Sequence, residues 1–199
     1  MAGAFPISNS KFQTLGIRSL QNTLMSKSIS GKRFARQIDG QRFGFTANII
    51  TAKRSDVYGE LMAFIMKQRS QKETFTIIPP EISNARGTAS GTPHGTASAG
   101  ATSITLGGTG TGTLKAGDYI KFASHDKVYM VVADQSDIST GTLTIEPPLT
   151  TAVSSSDITY DNVAFTVHLT NDVQEFGVAG ADKDGNALYQ FEFDVEEAL

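Results

Sequence analysis

Residues 26–80 read SKSISGKRFARQIDGQRFGFTANIITAKRSDVYGELMAFIMKQRSQKETFTIIPP. From 43 to 49, apolar Phe, Phe, Ala and Ile alternate with glycine and polar residues, which is the period of a half-buried strand. The Asp39-Gly40 pair ahead of it favours a tight turn, since both residues tolerate positive φ. A basic segment with its own Ser30-Gly31 turn precedes that pair. The stretch therefore predicts a strand, a turn and a second strand.

The segment that follows predicts an amphipathic helix. Ser55 or Asp56 is expected to cap its N-terminus by accepting hydrogen bonds from free backbone N–H groups. Apolar residues recur at the spacing of one helical face: Val57, Leu61, Phe64 and Ile65. Residues 74–78 are rich in β-forming side chains, and the double proline after them predicts the end of a third strand.

Composition narrows the function classes. The 199 residues include no Cys and no Trp but 19 Gly, which favours short strands and turns and excludes disulfides and thiolate metal sites. No secretory signal and no run of about 20 apolar residues is present, so the protein is expected to be soluble, made in the cytoplasm and without membrane contact.

Charge is distributed unevenly along the chain. Residues 1–79 hold 12 Lys and Arg against 4 Asp and Glu, whereas residues 80–199 hold 5 against 16, and the whole chain has a net charge of −3. A basic half and an acidic half suit contact between copies of one chain, and the basic half also suits nucleic acid. A third interpretation is solvated charge with no partner.

The rest of the chain predicts a discontinuous architecture. Residues 86–100 are rich in Gly, Thr, Ala and Ser and are interpreted as a linker or arm, and 96–152 contain several short strands of a small barrel or sandwich. Alternating strands return at 163–169 and 189–195. We expect a mainly β fold with one helix (α+β): a barrel or sandwich core with an inserted small β module. Its predicted parts are a first core part (1–83), a linker with the module (84–156) and a second core part (157–199).

Catalytic and metal-binding arrangements are not apparent in the sequence. The three histidines, at 94, 125 and 168, lack the spacing of metal ligands and are interpreted as surface or hydrogen-bonded residues. Asp182, Asp184 and Asn186 match the start of a calcium loop, but its sixth position is Ala187 and its twelfth is Phe193. A β-turn explains the same residues, with calcium kept as the alternative. No enzyme activity, metal or cofactor is predicted.

The strongest candidate for a functional site is a subunit interface. A basic cluster lies between residues 32 and 42, and the C-terminal tail offers carboxylates of matching charge. Edge-strand protection is the structural alternative for the basic cluster. The predicted interface residues are Lys32, Arg33, Arg36, Arg42, Glu192, Asp194, Glu196 and Glu197.

Two segments resemble proteins of tailed bacteriophages. The run SGKRFARQIDGQRFGFTANI, the helix SDVYGELMAFIMKQR and ETFTIIPP resemble the N-terminal part of distal tail proteins, and AGATSITLGGTGTGTLKAGDYIKF resembles small β modules of phage virion proteins. Together the two similarities cover about residues 26–150. The resemblance implies a β-barrel ring-former, commonly hexameric, that joins the tail tube to the baseplate hub or fibres. It assigns no role to an individual residue.

The leading hypothesis is therefore a structural virion protein of a phage tail or baseplate, assembled in the host cytoplasm. Its expected partners are copies of itself in a ring and other tail or baseplate proteins. One alternative is a carbohydrate- or receptor-binding module that grips a host-surface glycan through residues 96–152. Another is a tail-tube or neck protein that contacts DNA through its basic half.

Overall fold

The structure, a computed structural model, describes residues 3–7, 11–38 and 40–198. In these ranges the chain is mostly β with one α-helix, which confirms the predicted fold class. Asp39 of the predicted turn lies outside the described residues. The strands are β1 (Phe12–Leu20), β2 (Thr23–Lys27), β3 (Arg33–Gln37), β4 (Arg42–Lys53), β5 (Phe75–Ile77), β6 (Pro93–Ala97), β7 (Ser103–Gly108), β8 (Tyr119–Phe122), β9 (Val128–Val131), β10 (Thr142–Glu146), β11 (Val153–Thr159), β12 (Phe165–Leu169), β13 (Phe176–Ala181) and β14 (Ala187–Glu197); the helix is α1 (Gly59–Lys67).

A large antiparallel sheet joins strands from both ends of the chain. Its order is β1-β4-β14-β12-β5, and β13 pairs with the first half of β14. The alternation that predicts β4 also fixes its register, because Phe45 lies opposite Val195 and Ala47 opposite Phe193, all of them buried. The core of the sheet is therefore assembled from residues about 150 positions apart.

The helical segment covers one face of this sheet. Its predicted apolar stripe is confirmed at Val57, Leu61 and Ile65, which are buried. The predicted N-terminal cap is wrong: a π-helical turn, Arg54–Tyr58, precedes α1, and no side chain caps either element. Since the helical turns begin at Arg54, Ser55 and Asp56 lie inside the first turn rather than before it.

A closed six-stranded barrel forms between β5 and β12. Its strand order is β10-β7-β6-β11-β8-β9, and it has its own buried cluster, which includes Ile120, Phe122 and Tyr129. The barrel strands run from residue 93 to 159, so they extend beyond the predicted module at both ends. The division of the chain into 1–83, 84–156 and 157–199 as domains stays a prediction.

The structure differs most from the sequence interpretation in the glycine-rich segment 86–100. Residues 93–97 are strand β6 of the barrel, and Ser90 exchanges two backbone hydrogen bonds with Thr111, at 2.9 and 2.8 Å. A Cβ on Gly87 would lie 1.9 Å from the carbonyl oxygen of Thr113. The interpretation of 86–100 as a linker or free arm is thus wrong, because glycine here permits two backbones to approach closely.

Candidate subunit interface

The predicted basic cluster lies mainly on a two-stranded hairpin. Strands β2 and β3 pair with each other over five positions, and Gly31 supplies the positive φ of 86° that the connecting turn requires. Lys32, Arg33 and Arg36 are exposed on this hairpin, whereas Arg42 lies on β4 of the large sheet. The structure therefore brings three of the four predicted cations together.

Every residue of the hairpin strands is exposed, including its large apolar side chains. Leu24 and Met25 are each 61% exposed, and Phe34 is 52% exposed. Within the hairpin, Lys32 Nζ lies 5.4 Å from the ring centre of Phe34 and Arg33 Nη2 lies 2.9 Å from Met25 Sδ. A two-stranded hairpin alone is at best marginally stable in water. This hairpin, hereafter the basic hairpin (residues 23–37), is thus an exposed surface that a partner would stabilise.

Two of the predicted acidic residues are already paired within the chain. Asp194 accepts a 3.0 Å hydrogen bond from Arg18, and Glu196 lies 3.4 Å from Arg42. Strand order creates both pairs, since β1, β4 and β14 are neighbours. These two pairs therefore neutralise, within one molecule, part of the charge difference between the basic and acidic halves of the chain. Glu192 differs, because its side chain is exposed on β14.

Glu197 is fully buried at the junction of the large sheet and the barrel. It forms an ion pair with Lys127, which is also buried, and it accepts hydrogen bonds from the backbone N–H groups of Phe43 (3.1 Å) and Val128 (2.8 Å). Lys127 Nζ also donates to Gln41 Oε1 at 3.1 Å. Burial lowers the pKa of Lys127, and the Glu197 carboxylate opposes that effect. In this chain the carboxylate of Glu197 joins β14 to the barrel.

Sequence reasoning missed Lys127, yet the sequence carries a signal for Glu197. It shares the odd-numbered positions of Phe191, Phe193 and Val195, all of which face the core. A carboxylate at such a position requires a buried partner. That pattern indicates an internal ion pair at Glu197 rather than an exposed contact.

The histidines do not come together. His94 Nδ1 lies 3.6 Å from Asp157, and His168 lies in register with Glu196. His125 Nε2 lies 2.8 Å from the hydroxyl of Tyr129, and burial lowers the pKa of His125. Within the part of the chain that the structure describes, no three His, Asp or Glu side chains form a group that could hold a metal ion.

The calcium-like segment forms the turn between β13 and β14. Asp182 Oδ1 accepts hydrogen bonds from the backbone N–H groups of Asp184 and Asn186, each at 2.8 Å. Asp182 also forms an ion pair with Lys53, and the hydrogen bond from Lys53 is the main reason that the pKa of Asp182 is lowered. Both carboxylate oxygens of Asp182 are thus engaged within the protein, Oδ1 by backbone N–H groups and Oδ2 by Lys53.

Millimolar calcium is therefore expected to leave the melting temperature unchanged, because a cation would have to displace Lys53 and two backbone N–H groups from Asp182. Differential scanning fluorimetry with calcium and with magnesium as the control measures this directly. A calcium-specific rise in the melting temperature would instead support the calcium loop.

The barrel segment is similar to a known family. Residues 81–163 match the family model described as the B domain of the distal tail protein pb9. The matched range contains all six barrel strands. The similarity confirms the predicted resemblance of the chain to distal tail proteins, but it lies in the barrel segment, for which the sequence indicates only a small β module of phage virion proteins. The resemblance of the N-terminal segment to distal tail proteins stays a prediction. A distal tail domain is a structural domain, generally without enzyme activity.

A comparison of the chain with curated proteins found no match. Among the described residues, no helix is both long and apolar enough to span a membrane. In residues 81–163 the chain is thus similar to the B domain of distal tail protein pb9, and this similarity supports a structural protein of the phage tail, a component of the virion.

Proposed function

We propose that this protein forms a homo-oligomeric ring, with six copies expected, that joins the tail tube of a phage to hub or fibre proteins. The observation that carries the proposal is the basic hairpin, whose apolar side chains and cations are exposed within the described part of the chain. The similarity of residues 81–163 to a distal tail domain supports a place in the tail. Subunits would meet in the host cytoplasm, before the virion is complete.

A ring imposes a geometric requirement on its subunit. Each copy must present two different surfaces, one for each neighbour, because identical surfaces close into a dimer. The basic hairpin supplies one such surface. The large sheet includes β12, β13 and β14 from the acidic second half of the chain, and the exposed Glu192 on β14 offers a surface of opposite charge.

The glycan-binding alternative receives less support from the side chains of the barrel. Sugar-binding platforms commonly use exposed aromatic rings, but Tyr119, Phe122 and Tyr129 are buried. The DNA-binding alternative would use the same basic hairpin. It predicts retention on DNA that weakens steeply as salt concentration rises.

Native mass spectrometry of the purified protein is expected to detect a closed oligomer of six 21.2 kDa chains. Negative-stain electron microscopy of the same sample should show rings. A chain that stays monomeric at high concentration, both alone and mixed with tail-tube protein, would contradict the proposed function. Binding to a glycan array or salt-sensitive retention on DNA by that monomer would support the corresponding alternative.

A further inference from the structure

An acidic groove of about 440 Å³ lies along strands β13 and β14, with Glu175, Gly177, Gln190 and Glu192 in its lining. Gly177 pairs with Gln190 across the two strands and has no side chain, which leaves space in the groove at that position. Val173 contributes an apolar side chain that is 81% exposed. The groove thus combines carboxylates, an apolar rim and a space at Gly177.

Two carboxylates line this groove, those of Glu175 and Glu192. Phe176 pairs with Phe191, and Glu175 directly precedes β13 while Glu192 directly follows Phe191, so the register brings the two glutamates to the same end of the groove. Both are exposed, and neither has an ion pair within the described ranges 3–7, 11–38 and 40–198. Like charges that line one groove repel each other. A cation placed between them would remove that repulsion.

One face of the basic hairpin carries matching groups. Side chains alternate between the faces of a strand, so Lys32, Phe34 and Arg36 lie on one face, with Leu24 opposite Arg36. The segment 23–38 contains no Asp or Glu. Phe34 and Arg36 are two positions apart along the strand, about 7 Å, and Gln190 and Glu192 have the same spacing on β14.

We propose that the basic hairpin of one copy docks in the acidic groove of the next copy, with Arg36 at the Glu175–Glu192 pair and Phe34 over Gly177. This inference rests on the proposed ring and names its interface. The hairpin and the groove are different surfaces, as a ring requires. Opposite charge favours this pairing over contact between two hairpins or between two grooves.

A charge-reversal pair tests which face of the hairpin is used. The variant Lys32→Glu with Arg36→Glu is expected to raise the concentration at half-assembly at least tenfold. The control, Lys27→Glu with Arg33→Glu, makes the same change in net charge on the opposite face and should have a much smaller effect. An equal effect of both pairs would show that net charge alone drives assembly and would overturn the inference.

Compensation extends this test to both sides of the contact. Glu175→Lys with Glu192→Lys should also block assembly, and combining it with Lys32→Glu and Arg36→Glu in one chain should restore rings. Failure to restore rings would contradict the predicted contact. If the Lys32→Glu, Arg36→Glu variant formed rings as readily as the wild type, this interface would be refuted but the proposed ring would stand. A wild-type monomer would instead refute the proposed function.

Glycine provides a test that is independent of charge. A Cβ at Gly177 would meet no atom closer than 4.0 Å, so the side chain of Gly177→Phe begins without a clash and points into the groove, and circular dichroism checks that the variant is folded. Gly180→Phe is the control, since a Cβ there has no neighbour within 4 Å and Gly180 is not part of the groove lining. Assembly should be lost in the first variant and kept in the second. Retained assembly in Gly177→Phe would overturn the inference.

Disulfide trapping tests contact between copies directly, because the chain has no cysteine of its own. Phe34→Cys and Gln190→Cys proteins, made separately, should form a mixed covalent dimer after they are combined and oxidised. Phe34→Cys combined with Val132→Cys, whose exposed position is on the barrel, should not. Equal cross-linking in both mixtures would contradict docking in the groove.

Discussion

Replacing Lys127 with methionine is expected to lower the free energy of unfolding by about 3–5 kcal/mol, the usual cost of removing one partner of a buried ion pair. The variant would leave the Glu197 carboxylate without its cation at a position that is 0% exposed. Two backbone N–H groups, from Phe43 and Val128, would remain as its hydrogen-bond donors. Chemical denaturation followed by circular dichroism measures the loss.

Two further variants separate the buried charge from general effects of losing a lysine. Lys115→Met removes an exposed ion pair, 2.9 Å from Asp134, and should change the unfolding free energy far less. Lys127→Met combined with Glu197→Gln should recover at least half of the loss, because no unpaired charge then stays buried. If Lys127→Met cost no more than Lys115→Met, the pair would have to be solvated, contrary to the structure.

Strands of the large sheet were predictable where one face is buried and the other is solvated. The alternation in β4 and β14 follows directly from that asymmetry, and the structure confirms it. The pairing of β4 with β14 was not predictable in the same way. It depends on strand order and register between residues about 150 positions apart, which no local pattern specifies.

In the candidate interface, too, the sequence predicts features that lie within one hairpin but not those that depend on the order of strands in the sheet. Clustering of Lys32, Arg33 and Arg36 is visible in the sequence because these residues lie within one hairpin. Pairing of Asp194 with Arg18 arises only after three strands assemble, so the acidic tail could not be separated by sequence into paired and exposed members. Glu192 keeps its predicted place at an interface as part of the proposal, whereas Glu197 is buried inside the chain.

Residues 86–100 were wrongly predicted to be a linker because glycine-rich composition is typical of two different kinds of structure. In a linker it supplies conformational freedom, but in a tightly packed region it supplies the absence of a side chain. The surrounding residues distinguish the two only in three dimensions. Thr88 and Thr113, for example, bond to each other through hydroxyls and backbone N–H groups, and this pairing brings the backbone of Gly87 against Thr113.

Gly87→Ala is therefore expected to lower the free energy of unfolding by about 3 kcal/mol, the upper end of the usual cost of overpacking. The added methyl group would overlap the carbonyl oxygen of Thr113, which is backbone and cannot rotate away. In a flexible linker the same substitution would have no folded-state clash and would be neutral or slightly stabilising, since alanine restricts the unfolded chain. The sign of the effect thus distinguishes a packed segment from a linker.

Gly180→Ala is the matched control, because a Cβ at that position would have no atom within 4 Å. It makes the same chemical change in a strand outside the barrel and should not destabilise the protein. Thermal and urea unfolding of both variants would give the comparison. A stabilised Gly87→Ala protein would mean that residues 86–91 are not held against 109–113 and form a free segment ahead of β6.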